Sequence, residues 1–250
     1  MLSANDKSST TSNGLTPSIF GYPKENPLRG PKTYYRMDSN DRSDMDSVKS
    51  LQHIWIVTGP AGSGKTTVAK NLQAEMGLPF LEGDDFHPPS NKEKMSNGIP
   101  LTDADRWDWL ISLRDAAVDI LSTPAPTVAA AASGSDGISN NESQQPPSGV
   151  IVSCSALKLK YRDVIRVAAY DHPSVRIHFI YLKADEKTLL ERVDGRESHY
   201  MKGNMVHSQF EALEDPSDEK DVLAVDVSVS PEEVRRSVSE AVASKLAEYN

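Results

Sequence analysis

The stretch Gly59-Pro60-Ala61-Gly62-Ser63-Gly64-Lys65-Thr66 places its glycines, lysine and hydroxyl at the spacing G-x-x-x-x-G-K-[ST], the pattern of a phosphate-cradling P-loop. Its glycines let backbone N–H groups turn inward around phosphates, and the N-terminus of a following helix adds positive potential. Lys65 is expected to reach the β and γ phosphates of ATP, and Thr66 to ligate Mg²⁺, with Thr67 beside it in the first helical turn. The motif needs a strand before it and a helix after it. Ile54 to Thr58 (IWIVT) is a continuous apolar run suited to a strand buried on both faces, and Thr66 to Met76 reads as a helix stopped at Gly77. A glycine-rich turn without a ligand is the other reading, and both flanks weigh against it.

A phosphate cradle is shared by kinases, GTPase switches and mechanical ATPases, so the acceptor side must decide between them. No N-K-x-D guanine-reading motif follows at the expected later strand. Asp84 falls just after the second predicted strand, at the carboxyl edge of the sheet, where open α/β folds bind ligands. There it would orient an attacking hydroxyl and could take its proton, since phosphoryl transfer rests on positioning and charge stabilisation; the alternative is a helix or turn cap. Glu82 suits a ligand of Mg²⁺-bound water, whereas Asp85 points the other way on extended chain. Arg106 and Lys158 are the residues suited to gripping a carboxylate, one by its planar fork and the other as a point charge. For Arg106 an ion pair with Asp103 or Asp105 is the competing reading. Arg162 follows Lys158 by four positions and so shares its helix face. His87 is either a substrate ligand or a loop anchor. Trp107 and Trp109 read as packing, and Cys154 as a small buried side chain. Arg192 and Arg196 lie four apart before a polar loop containing Glu197, Ser198, His199 and Gly203. That is the pattern of a lid closing over ATP and bringing guanidinium charge to the transferring phosphoryl group, catalytic in the case of Arg196. A solvated helix end complementing the macrodipole is the alternative.

The elements that must position these groups alternate strand and helix, which implies βαβ units around a parallel sheet. Pro79 to Leu81 is a short second strand. Ser90 to Glu93 has capping-box spacing for a short helix, and Thr102 or Asp103 starts a longer one running to about Leu121 with Trp109, Leu110, Leu113, Ala117 and Leu121 on one side. Val150 to Val152 is a strand, Leu157 to Ala169 a helix, Val175 to Leu182 a strand, Glu186 to Val193 a helix and Val222 to Val227 the last strand. Ser230, Pro231 and Glu233 supply the N-cap, first helical position and capping box of a C-terminal helix.

Composition sets the outer limits. Hydrophobic residues make up 38% of the 250-residue chain, which is low for a wholly globular protein and points to segments unable to offset their ordering entropy. Residues 1 to 50 are rich in Ser, Asn, Asp, Pro and Gly and read as a disordered extension; about 122 to 148 is a low-complexity insertion in a catalytic domain spanning 51 to 250. A net charge of -9 argues against nucleic acid or an anionic membrane as partner. With Cys154 the only cysteine there is no intramolecular disulfide, and Met1 to Thr10 has no apolar signal core, so a cytoplasmic setting is expected.

Downstream of the cradle the chain resembles the gluconokinase family of P-loop small-molecule kinases, which is similar to shikimate and nucleoside monophosphate kinases. The resemblance rests on Glu82-Gly83-Asp84-Asp85-Phe86-His87-Pro88, Asn91, Lys94-Met95, Gly98-Ile99-Pro100-Leu101, Asp103, Asp105-Arg106 and Trp109-Leu110. It continues through Cys154-Ser155-Ala156-Leu157-Lys158, Tyr161-Arg162-Asp163, Tyr181-Leu182, Arg192, Arg196, His199-Tyr200 and Gln209 to Pro216. It does not reach the first 50 residues or the insertion. It implies a three-layer α/β P-loop kinase fold with a parallel sheet and a helical lid, and the reaction ATP + D-gluconate → ADP + 6-phospho-D-gluconate with Mg²⁺, feeding the pentose phosphate pathway. A homodimer is left open. Two other readings remain at this point: a kinase for another small anionic acceptor such as shikimate or a nucleotide, and an ATP-binding regulator without turnover.

Overall fold

The computed structural model describes residues 50–124, 145–195 and 203–249. Arg196, the N-terminal extension up to residue 49 and residues 125–144 of the expected insertion lie outside them. Five strands, β1 (Gln52–Thr58), β2 (Phe80–Glu82), β3 (Gly149–Ser153), β4 (Val175–Lys183) and β5 (Val222–Asp226), form one parallel sheet in the order β2-β3-β1-β4-β5. Among the described residues seven α-helices accompany them: α1 (Lys65–Met76), α2 (Pro89–Ser96), α3 (Trp107–Ser122), α4 (Leu159–Arg166), α5 (Glu186–Asp194), α6 (Gly203–Glu211) and α7 (Pro231–Ala247).

The central strand shows why the sheet has helices on both faces. Side chains alternate along a strand, and β1 has no polar face to give to water. Ile54 and Ile56 join Val150, Val152 and Phe179 in a core completed by Trp109, Leu110 and Leu113 of α3 and by Tyr161 and Ile165 of α4. Trp55 and Val57 point the opposite way, into a second core with Val68 and Leu72 of α1 and Val234, Val238 and Val242 of α7. Two layers of helix with the sheet between them follow directly. Among the described residues no helix is long and apolar enough to cross a membrane.

Local chemistry sets the boundaries. The α7 capping box forms as read, with Ser230 and Glu233 bonding each other's backbone N–H. The one expected at Ser90 does not. Helix α2 starts at Pro89, so Ser90 and Glu93 lie inside it and Pro88 stands at the cap without a side-chain bond. Nor does α3 begin at Thr102 or Asp103. Asp105 accepts from both the backbone N–H and the hydroxyl of Thr102, closing a turn that delays the helix to Trp107. Helix α6 was not anticipated. Its sequence is short and mixed, and it is held by burying Val206 against Leu189 and Val193 of α5, with Met205 buried as well.

Candidate active site

The cradle emerges from β1 and turns into α1. Gly62 has φ +83, and a β-carbon there would lie 2.9 Å from the Leu189 carbonyl oxygen, so both conformation and space demand glycine. Ser63 Oγ donates to the Pro60 carbonyl at 2.8 Å. Lys65 Nζ donates to the carbonyls of Gly59 and Pro60, each at 3.0 Å, which folds its ammonium over the mouth of the loop. Thr66 Oγ1 donates to Glu82 at 2.8 Å. The other Glu82 oxygen receives the Ser153 hydroxyl, so Thr66, Glu82 and Ser153 form a chain of oxygens across the ends of α1, β2 and β3.

Two cavities flank the loop. The larger, about 220 Å³, is lined on its polar side by Gly62, Gly64, Thr67 and Arg192, and on its apolar side by Val227 and Val234, where β5 leads into α7. Arg192, at the end of α5, donates to the Val227 carbonyl, which holds its guanidinium beside the cradle.

The smaller cavity lies on the other side and brings together Lys65, Asp84, His87, Arg106, Trp109 and Gln209. Asp84 stands in a 3-10 turn, Gly83–Phe86, that leaves β2. This turn packs hard on β3: a β-carbon on Gly83 would lie 2.2 Å from the Ser153 carbonyl oxygen. Trp109 Nε1 donates to the Gly83 carbonyl at 2.6 Å, and the same indole stacks on His87 with centroids 4.0 Å apart. Trp109 therefore holds both ends of the segment carrying Asp84. The His87 imidazole is pushed down to about 4, first by burial and then by the charges of Arg106 and Lys92, so at neutral pH it is uncharged.

Arg106 is 9% exposed. It donates to the Tyr161 hydroxyl at 3.2 Å and its guanidinium lies 5.4 Å from the centre of that ring. The ion pair with Asp103 or Asp105 does not form. Asp105 is taken by Lys94 at 2.6 Å; Asp103 receives Lys158 at 2.9 Å together with Lys160 and the Tyr161 hydroxyl. Bonds from Lys160, Tyr161 and Lys158, in that order, hold the Asp103 carboxyl well below its usual range. Among the described residues no carboxylate pairs with Arg106.

Two residues grouped with Arg106 on sequence are placed elsewhere. Lys158 is paired to Asp103 and does not line the cavity. Arg162, 1% exposed, is fully engaged inside the protein. Its Nη1 donates to the carbonyls of Ala156 and Leu157, each at 3.0 Å, its Nη2 to the Glu214 carbonyl at 3.2 Å, and the fork closes on Glu219 at 2.5 Å. Helix periodicity put it on the face of Lys158, but that face turns into the core here. Its task is to clamp the turn after β3, where Ala156 has a left-handed φ of +30, a conformation that bulkier geometry around it must enforce. That turn presents Ser155, whose carbonyl accepts from Thr58 Oγ1 at 2.7 Å and which lines the smaller cavity. Cys154 is buried behind it, its thiol pushed up to about 12 mainly by burial. Gln209 and Ser155 were not among the expected site residues, although both fall in segments that carry the family resemblance; Gln209 is brought to the loop from 148 positions away, which no local spacing marks.

A P-loop at the end of the central parallel strand, with one cavity beside its phosphate-facing glycines and a charged cavity on the other side, defines a small P-loop kinase that binds ATP. A family model described as an AAA domain matches residues 56–221. The chain is 41% identical over 177 residues to a Schizosaccharomyces pombe protein named "Probable gluconokinase", covering 70% of this chain and 80% of that one. It is 36% identical over 199 residues to the thermoresistant gluconokinase of Escherichia coli, covering 79% and 98%. The crystal structure of a gluconokinase from Sinorhizobium meliloti 1021 superposes with a TM-score of 0.62 at 35% identity, covering 80% of this chain and 97% of that one. The chain belongs to the gluconokinase family.

Proposed function

We propose that the protein transfers the γ-phosphoryl group of ATP to the 6-hydroxyl of D-gluconate. The observation that carries this is the convergence of Lys65 from the cradle with Asp84 and Arg106 in one cavity, with a second, larger cavity on the other side of the cradle. In this reading the base and ribose lie against Val227 and Val234, with the phosphates in the loop. Arg106 takes the gluconate carboxylate in its fork, which sets the far end of the chain of hydroxyls and leaves the other end at Asp84. Asp84 orients the attacking hydroxyl and accepts its proton as the oxygen–phosphorus bond forms and the bond to the bridging β–γ oxygen breaks. Lys65 swings from its carbonyls to the β and γ phosphates, where its charge offsets that of the leaving ADP. Arg192 adds charge from the nucleotide side, and we assign Arg196 to the same task. His87 and Trp109, one neutral and both stacked, keep the wall of the acceptor cavity rigid.

The Thr66 hydroxyl and the Glu82 carboxylate, in contact at 2.8 Å, are hard oxygen donors of the kind Mg²⁺ prefers when phosphate oxygens and water complete its shell. Thr66 would hold the ion, with Glu82 behind it, and the bound ion would neutralise charge on the β and γ phosphates.

The test is ADP release, measured by a coupled assay against D-gluconate, other sugar acids, polyols, shikimate and nucleoside monophosphates. Turnover with gluconate far above all others is expected. Preference for shikimate or a nucleotide would reassign the acceptor, and nucleotide binding without turnover on any acceptor would sink the kinase reading for this chain.

A further inference from the structure

The tip of the cradle is not free. Ala61 packs with Leu189 and Val193 of α5 and Val206 of α6 in a small apolar cluster. At its edge the Ala61 backbone N–H donates to Gln209 Oε1 at 2.8 Å, in a bond buried on both sides. A backbone N–H can only donate, so the amide oxygen of Gln209 must face the loop. The amide nitrogen is thereby fixed at the other end. Gln209 is 8% exposed, lines the cavity of Asp84, Arg106 and Lys65, and among the described residues its Nε2 has no hydrogen-bond partner. That nitrogen keeps accessible surface, since the buried side-chain atoms without a partner among the described residues are Trp55 Nε1 and His178 Nδ1, and a donor that opens on a cavity can bond a ligand oxygen entering it.

We propose that Gln209 is a specificity-determining residue for the acceptor: its Nε2 donates to a hydroxyl or carboxylate oxygen of the bound sugar acid while its Oε1 keeps that oxygen in register with Ala61 of the cradle. The inference rests on the acceptor cavity assigned above. A site built to donate to a substrate oxygen discriminates strongly against a ligand lacking it, because the donor is then left unpaired. The same side chain links the two substrates, since one amide touches both the loop that holds the phosphates and the cavity that holds the hydroxyl.

Two variants separate reading the acceptor from bracing the loop. Gln209→Glu keeps an oxygen for the Ala61 N–H but replaces the donor by an acceptor; Gln209→Met removes both. Steady-state kinetics with D-gluconate and with ATP varied in turn, together with thermal melts, should show KM for gluconate raised about tenfold or more in both variants. KM for ATP should stay within about twofold in Gln209→Glu, which keeps the loop bond. Wild-type KM for gluconate in Gln209→Glu, with lowered melting temperature and weakened ATP binding in Gln209→Met, would mean that the side chain only braces the loop. Arg106→Ala run alongside distinguishes the failures. If it raises KM for gluconate and the Gln209 variants do not, this inference alone falls; if none of the three does, the acceptor cavity itself is misassigned.

Discussion

Replacing Arg106 by alanine removes a guanidinium that is nearly buried, bonded to Tyr161 at 3.2 Å and left without a carboxylate among the described residues. If gluconate supplies that carboxylate, the variant loses a charge-assisted bond of about 1.5 to 3 kcal/mol, or roughly ten- to a hundredfold in kcat/KM. The loss should fall on KM for gluconate, because the fork grips the end of the acceptor remote from the reacting hydroxyl and holds ground state and transition state alike. KM for ATP should change little. Some fold stability is lost as well, since the guanidinium sits over the Tyr161 ring at 5.4 Å, a contact of about 0.5 to 2 kcal/mol; that part appears in the melting temperature and not in KM. Arg106→Lys keeps the charge but not the fork, so an intermediate KM is expected. The assay is ADP release with each substrate varied in turn at saturating partner. A folded Arg106→Ala enzyme with wild-type KM for gluconate, or one whose KM for ATP rises in step, would refute the placement of the carboxylate.

Asp84→Asn should lower kcat at nearly constant KM for both substrates, because the amide keeps the shape but cannot accept the proton; wild-type kcat in this variant removes Asp84 from the chemistry. Arg162→Leu should behave as a stability variant: it removes one of the two arginines that hold Glu219 and frees the carbonyls of Ala156 and Leu157, a change costing less than the about 3 to 5 kcal/mol of breaking a buried pair outright, because Glu219 keeps Arg166. Urea unfolding measures it, and a shift confined to KM for gluconate with stability intact would return Arg162 to the substrate site. Acid should destabilise the protein before its carboxylates titrate. His87 and His178 are each pushed down from 6.5 to about 4, chiefly by burial, so between those values the unfolded chain binds more protons and stability falls as pH falls. His207, raised by Glu186, acts in the opposite sense but is exposed and screened. A urea midpoint that stays flat from pH 6.5 to 4.5 would contradict burial as the cause.

What the sequence determines by itself is whatever depends on neighbours along the chain. The cradle is eight consecutive residues between an apolar run and a helix, the C-terminal helix carries its capping box within four residues, and continuous apolar strands imply helices on both faces. The parallel sheet and the family were legible for that reason. Asp84 was legible as a candidate because it follows β2, whose end could be located; Arg106 was legible by residue type alone, since the helix expected from Thr102 or Asp103 begins only at Trp107. Tertiary structure decided the rest. Arg106 and Arg162 are both arginines near predicted helices, and only packing shows that one faces a cavity while the other closes on Glu219 and three carbonyls. The Ser90 box failed because the helix starts at Pro89, two residues too early for it, and α6 exists because α5 covers its apolar side chains. Gln209 reaches Ala61 across 148 residues, and a contact of that kind is set by how helices stack on a sheet, which no local spacing encodes.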